Sequence, residues 1–234
     1  MTSPPKGPVR TRMTGAQRRE QLIDVAREVF AERGFASTAI EEIAARADVS
    51  KPVVYEHFGG KDGLYSVVIE REVTALLTTL REALRGDSSR QLLEQATIAF
   101  LQHIEENPEG FRILIRDRAV GSPSHTQQSI IGDIATSVEG LIRDVFVRQR
   151  IDTVSVPLYA QMLVGIVAQT GRWWLDNGMP DRRTVATHVV NFAWNGLSGM
   201  DPDPLLVTEL PPRARREMES AQAREQDRSR PAPR

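Results

Sequence analysis

Apolar side chains recur along this chain at intervals of three and four residues, the spacing that places them on one face of an α-helix. Leu22, Ala26, Val29 and Phe30 form the first such series. Thr14, with Gln17 three residues on, makes a capping box at its start, and Gly34 is a natural stop. Ile40, Ile43 and Ala44 mark a short second helix after Ser37 and Thr38, and a third lies between Ser50 and Phe58. Gly59-Gly60 breaks that one, and a long helix is expected over 61–85, ended by Gly86.

The rest of the chain follows the same pattern. Ser88 with Gln91 predicts a second capping box, opening a segment that runs to about Glu106. Asn107-Pro108 supplies an N-cap followed by proline at the first helical position, leading into Phe111-Arg-Ile-Leu-Ile. A Gly121-Ser-Pro-Ser loop precedes a long helix ending near Arg150. Asp152 to Ser155, with Pro157 in the first turn, opens another that closes at Asn177-Gly178. Pro180-Asp181 caps a last apolar helix ending near Met200. Nine helices are expected and no stretch alternates as a strand would, so the fold class is all-α. Beyond Asp201 the sequence turns Pro-rich and then Arg/Glu/Gln-rich, reading as a tail with a partly helical stretch at 213–226.

The residues between Thr38 and Lys61 carry the chemistry. Two helices of about two turns flank a turn at Ala47-Asp48-Val49, and helices that short need tertiary packing to persist. Ile40, Ile43, Ala44, Val49, Val54 and Phe58 are placed to supply it, which leaves Lys51, Pro52, Val53, Tyr55 and His57 outward on the second helix. A helix-turn-helix projects its second helix into the major groove of DNA, its first residues reaching base edges. Ser50 is expected to cap that helix, and free N–H groups near Thr38, Ser50 and Lys61 suit phosphate oxygens.

Charge sharpens this picture. The 234 residues carry a net charge of −1. The first nineteen, however, hold Lys6, Arg10, Arg12, Arg18 and Arg19 and no acid, and residues 1–61 hold ten cations against eight acids. A polyanion footprint is therefore expected at the N-terminus, where all three lysines (Lys6, Lys51 and Lys61) lie. Cysteine is absent, which excludes disulfides and Cys-ligated zinc or iron–sulfur centres. The start of the chain has no apolar signal region and no run of about 18 apolar residues occurs, so neither secretion nor membrane insertion is expected, and a cytoplasmic location is. No Gly-x-Ser-x-Gly elbow, phosphate-cradling glycine loop or His-Glu-x-x-His motif is present, and Gly196-Leu-Ser-Gly199 has the wrong spacing for an elbow. His57 has no partner at ligand spacing, so no metal, cofactor or enzymatic role is expected.

The run Phe30-Ala-Glu-Arg-Gly34-Phe35-Ala-Ser-Thr38, Ile43-Ala44, Val49-Ser50, Tyr55-Glu-His57-Phe58-Gly-Gly-Lys61 resembles the DNA-binding domain of the TetR family in order and spacing over about 50 residues. The resemblance implies a nine-helix TetR-like fold: a basic arm at 1–13, a helix-turn-helix domain at 14–62, a ligand-binding and dimerisation domain at 63–200, and a tail at 201–234. It implies phosphate contacts from Thr38, Tyr55, His57 and Lys61, and base-edge approach by Lys51, Pro52 and Val53. Many members have Gly-Thr where this chain has Pro52-Val53, which leaves fewer hydrogen bonds toward bases.

In the second half, Arg172-Trp173-Trp174-Leu175-Asp176 and Phe192-Ala-Trp194-Asn-Gly196-Leu197 are similar to actinobacterial-type members that include regulators of fatty-acid metabolism. The resemblance implies a homodimer joined through the last two helices, with Leu163, Ile166, Val167, Val189, Val190 and Ala193 as seam residues. A double-stranded palindromic DNA operator and a hydrophobic small-molecule effector, an acyl-chain ligand among the candidates, are the expected partners. Phe100, His103, Ile104 and Phe111, with Leu114, Phe146, Met162 and Trp173, are the expected pocket walls. The expected activity is repression relieved or modulated by that effector. A ligand-independent DNA-binding or architectural protein is the alternative, and it predicts a filled second domain instead of a cavity of several hundred Å³.

Overall fold

The computed structural model describes residues 13–85, 88–116, 124–202, 204–206, 208 and 211, and gives no account of the side chains of 116, 124–134, 137 and 141. The arm before Met13, the Gly86 stop, most of the Gly121-Ser-Pro-Ser loop and the stretch at 213–226 lie outside these residues. The described residues form nine α-helices and one 3-10 turn, with no strand among them. The helices are α1 (Gly15–Arg33), α2 (Ile40–Arg46), α3 (Lys51–Phe58), α4 (Lys61–Ala83), α5 (Ser89–Glu106), α6 (Pro108–Arg116), α7 (Ser124–Gln149), α8 (Val156–Asn177) and α9 (Arg182–Ser198).

Local chemistry sets most of these boundaries. The Thr14 hydroxyl accepts from the Gln17 N–H while the Gln17 side chain accepts from the Thr14 N–H, completing the expected box. Asp181 does the same work for α9, accepting from the N–H groups of Arg183 and Thr184. Two expected caps differ. The Ser88 side chain makes no capping bond to α5, and the Ser50 side chain makes none to α3. Thr38 turns inward to donate to the Gly34 carbonyl at 2.8 Å, so α2 starts two residues later, behind Ala39.

Two cores share α4 and α6. The first gathers α1, α2, α3 and the start of α4 around Leu22, Phe30, Ile43, Val54 and Leu64, all essentially unexposed. Phe30, Phe35 and Tyr65 stack within it, with ring centroids 4.9 and 4.7 Å apart at the two Tyr65 contacts. Burying a ring such as Phe30 contributes about 1.5–3 kcal/mol, which is what short helices α2 and α3 lack on their own. The second core joins Leu76 of α4 to Phe100, Ile104, Phe111, Trp174 and Val185. Helix α6 enters both, with Ile113 in the first core and Phe111 in the second.

Helix α8 changes one expectation. With its preceding turn (Thr153–Asn177) it is long and apolar enough to cross a membrane: an 18-residue stretch within it has a mean hydropathy of 1.2, yet only 17% of that stretch is buried within the chain. Its exposed side includes Leu158, Met162 and Trp173, while Gly171 faces α5 closely enough that a Cβ there would meet Ile104 Cδ1 at 2.5 Å.

Candidate nucleic-acid interface and internal cavity

Helix α3 is held by its neighbours. Asp48 takes a left-handed conformation (φ 52°), which a short polar side chain tolerates, and so turns the chain from α2 into α3. Val49 then donates back to the Ala44 carbonyl at 3.0 Å. Val54 is wholly buried on α3, and Phe58 packs on the first core beneath the Arg19 guanidinium, 5.0 Å from its ring centroid. After α3, Gly59 (φ 72°) and Gly60 (φ 132°) adopt conformations that L side chains rarely take, and the chain leaves directly into α4.

This anchoring exposes Lys51, Pro52, Tyr55 and Glu56, and leaves Val53 and His57 half-buried. Six of the expected contact residues (Ser50, Lys51, Pro52, Val53, Tyr55 and His57) thus sit on or beside one short helix. Two others are placed differently. Thr38 is buried, its hydroxyl spent on Gly34 and its N–H on the Phe35 carbonyl at 3.3 Å, so it has no donor to offer a phosphate. Lys61 reaches across from α4, donating to the Thr38 carbonyl at 2.8 Å with its ammonium 4.4 Å from the Phe35 ring centroid. It thereby clasps the turn between α1 and α2.

Sequence reasoning missed Glu41. Its carboxyl accepts from Lys51 Nζ at 2.6 Å, across the turn from α2 to α3. The bond from Lys51 holds the Glu41 carboxyl below the usual carboxylate range and raises Lys51 in return. An acidic first turn on α2 was visible in the sequence, but ten residues of separation gave no sign of the pairing.

A cavity of about 340 Å³ lies between α4, α5, α6, α7, α8 and α9. Leu76, Phe100, Phe111, Leu114, Ile142 and Val167 are among its walls, so Phe100, Phe111 and Leu114 stand where the sequence put them. The other five do not. His103 and Ile104 are buried in packing behind the wall, and burial pushes the His103 imidazole below its ordinary value near 6.5. Phe146 is fully buried against Tyr159, their centroids 5.1 Å apart. Met162 and Trp173 are half-exposed on the outer side of α8. The helical period that made these residues look inward-facing does not say which of several neighbours a face meets. The cavity's polar side chains are few: Thr97 bonds its own helix, Ser89 accepts from Arg148, and Gln161, Gln169 and Arg172 gather on α8.

Five of the six seam candidates face the chain's own interior: Val189, Val190 and Ala193 are buried, and Leu163 and Val167 line the cavity, while Ile166 is half-buried. What α8 and α9 leave exposed instead is Leu158, Met162, Trp173 and Phe192.

Comparison with known proteins agrees with this geometry. Residues 22–68 match the model of bacterial regulatory proteins of the tetR family, and residues 89–196 match a tetracyclin repressor-like C-terminal domain. The chain is 36% identical over 190 residues to the HTH-type transcriptional activator FasR of Mycolicibacterium smegmatis, covering 80% of this chain and 86% of that protein. A TetR-like transcriptional regulator from a Rhodococcus species superposes with a TM-score of 0.64 at 29% identity, covering 81% of this chain and all of the other. The fatty acid degradation regulator FadR of Bacillus halodurans shares the fold, with a TM-score of 0.65 at 16% identity over 78% of this chain and 99% of its own.

Proposed function

The chain belongs to the TetR family of DNA-binding transcriptional regulators, and from that footing we propose that a hydrophobic effector in the partly open cavity between its helices shifts a homodimer's affinity for a palindromic operator. The observation that carries this is the cavity itself. At about 340 Å³, with predominantly apolar walls, it falls in the size class of small-molecule sites, whereas a ligand-independent architectural protein has no need of one. An acyl chain suits the apolar walls, and the polar set on α8 suits a polar end.

In this reading α3 docks in the major groove: Lys51, Pro52 and Val53 approach base edges while Tyr55, His57 and Lys61 contact phosphates. Residues 14–62 form the DNA-binding unit and 63–200 the sensing and dimerising unit, with 1–13 a basic arm and 201–234 a tail. The dimer face is the exposed apolar side of α8 and α9, at Leu158, Met162, Trp173 and Phe192. A second copy over that face removes apolar surface from water and explains the low burial of so apolar a helix. The protein works in the cytoplasm, where its DNA is.

Helices α4 and α6 both line the cavity and pack on the first core, so a ligand with different affinity for two tilts of them changes DNA affinity reciprocally. The sign of regulation follows operator position. An operator overlapping the promoter gives repression and one upstream of it gives activation, the role in the name of the M. smegmatis relative. A thermal-shift screen of acyl-CoAs, fatty acids and apolar drugs, followed by operator binding with each hit, tests the proposal. A hit that changes operator affinity is the expected result; hits that leave it untouched, or no hits at all, favour the ligand-independent alternative.

A further inference from the structure

Lys51 is the only lysine or arginine on α3, and it is not free. Its ammonium is held 2.6 Å from Glu41 and lies 5.7 Å from the centroid of the Tyr55 ring. Glu42, next along the same turn of α2, is matched by two guanidinium groups, Arg33 at 3.0 Å and Arg46 at 3.3 Å. Among the described residues Glu41 pairs with Lys51 alone, and both side chains face solvent at the N-terminal end of α3.

We propose that Glu41 is a specificity-determining residue, a positioning group that holds Lys51 toward base edges and keeps it off the phosphate backbone. The proposal rests on the major-groove docking of α3. Two physical effects act in the same direction. Phosphates of any sequence attract a lone ammonium, and that attraction raises affinity without discrimination. A carboxylate beside the ammonium cancels most of that attraction and repels a phosphate brought close. A guanine edge, by contrast, presents neutral N7 and O6 acceptors that an oriented ammonium donates to, with no charge repulsion to overcome. The neighbouring Pro52 and Val53 offer bases no polar side-chain atoms, so discrimination at the start of α3 depends on where Lys51 points.

The test compares full-length wild type, Glu41→Gln, Glu41→Asp, Lys51→Ala and the Lys51→Ala/Glu41→Gln double variant. Each is titrated by fluorescence anisotropy against a duplex selected by wild type from a randomised pool and a random duplex of equal length, at several salt concentrations. Glu41→Gln is expected to bind random duplex about 3- to 10-fold more tightly, with a salt slope steeper by about one. Affinity for the selected duplex should rise less, so the ratio between them falls at least about threefold. Glu41→Asp should retain most of the wild-type ratio, and Glu41→Gln should have little effect once Lys51 is alanine. Melting temperatures serve as the folding control and are expected to be unchanged. Equal gains on both duplexes, or the same gain in the Lys51→Ala background, would overturn the proposal, since either means Glu41 acts only as a bulk charge. Failure of wild type to enrich any duplex would instead overturn the docking on which it rests.

Discussion

Gly110, in the first turn of α6, sits where three elements meet, and adding one methyl group there tests how they are joined. Asn107 donates from its amide to a Glu72 carboxyl oxygen at 2.6 Å and accepts at its Oδ1 from the Gly110 N–H at 3.2 Å and from Arg27 Nη1 at 3.3 Å. It therefore ties α4, α6 and α1 through one side chain. Arg27 also pairs with Glu109 at 3.7 Å. A Cβ on Gly110 would lie 1.9 Å from Glu72 Oε2 and 2.3 Å from Asn107 Nδ2, so the carboxyl group has to withdraw. Glu72 is only 3% exposed, and leaving a buried polar group without its hydrogen bond costs about 1–3 kcal/mol, more for a charged one. Replacing glycine inside a helix returns about 0.5–1 kcal/mol. Gly110→Ala is accordingly expected to destabilise the protein by about 1–2 kcal/mol, lowering its melting temperature by roughly 2–8 °C for a chain of this size. Thermal unfolding followed by circular dichroism, at one fixed protomer concentration, reads this directly. Gly140→Ala, where a Cβ meets nothing within 4 Å, is the matched control and should be neutral or slightly stabilising. If the two variants melt alike, Glu72 and Asn107 do not hold the junction in this way.

Other outcomes follow from the same geometry. Tyr55→Phe should weaken duplex binding by a similar factor for all sequences, as loss of a phosphate contact does, and a change of base preference by selection would contradict that role. Replacing Leu158 and Phe192 together by aspartate should leave a monomer in sedimentation velocity at micromolar concentration; an intact dimer would place the interface elsewhere. His103 contributes to pH dependence with a definite sign. Its folded-state value lies below that of the unfolded chain, so the unfolded state binds more protons and stability falls as pH drops through about 6.5 toward the folded value. His103→Gln should flatten urea-unfolding stability between pH 7.5 and 5.5, a window set by the reference value of about 6.5. An unchanged profile would mean the imidazole is hydrated.

The sequence announced those elements whose ends are set by local chemistry. The Thr14–Gln17 box, the Asp181 cap and the Gly59-Gly60 break are each fixed within a few residues, and their helices start or stop there. The family motif from Phe30 to Lys61 likewise located α3, because packing of Val54 and Phe58 leaves only one face outward. Which cap candidates engage, and which helix faces meet, was not legible. Ser88 and Ser50 have the composition of caps but make none, and Thr38 spends its hydroxyl on a carbonyl four residues back. On α8 and α9 almost every turn carries apolar residues on more than one side. Their period therefore could not separate Val189, buried inside, from Phe192, exposed, or Val167 on the cavity from Trp173 outside it. The Glu41–Lys51 and Asn107–Glu72 pairs link helices whose relative placement only the folded chain supplies.

The central claim is that α3 of each protomer reads one half of a symmetric DNA site. Selection from a randomised duplex pool by the full-length protein, followed by hydroxyl-radical footprinting of the winner, measures this most directly. The account predicts an inverted repeat whose two protected half-sites are centred one helical turn apart, roughly 34 Å, or a whole multiple of it. A single unrepeated protected segment, or enrichment of no sequence above the starting pool, would contradict it.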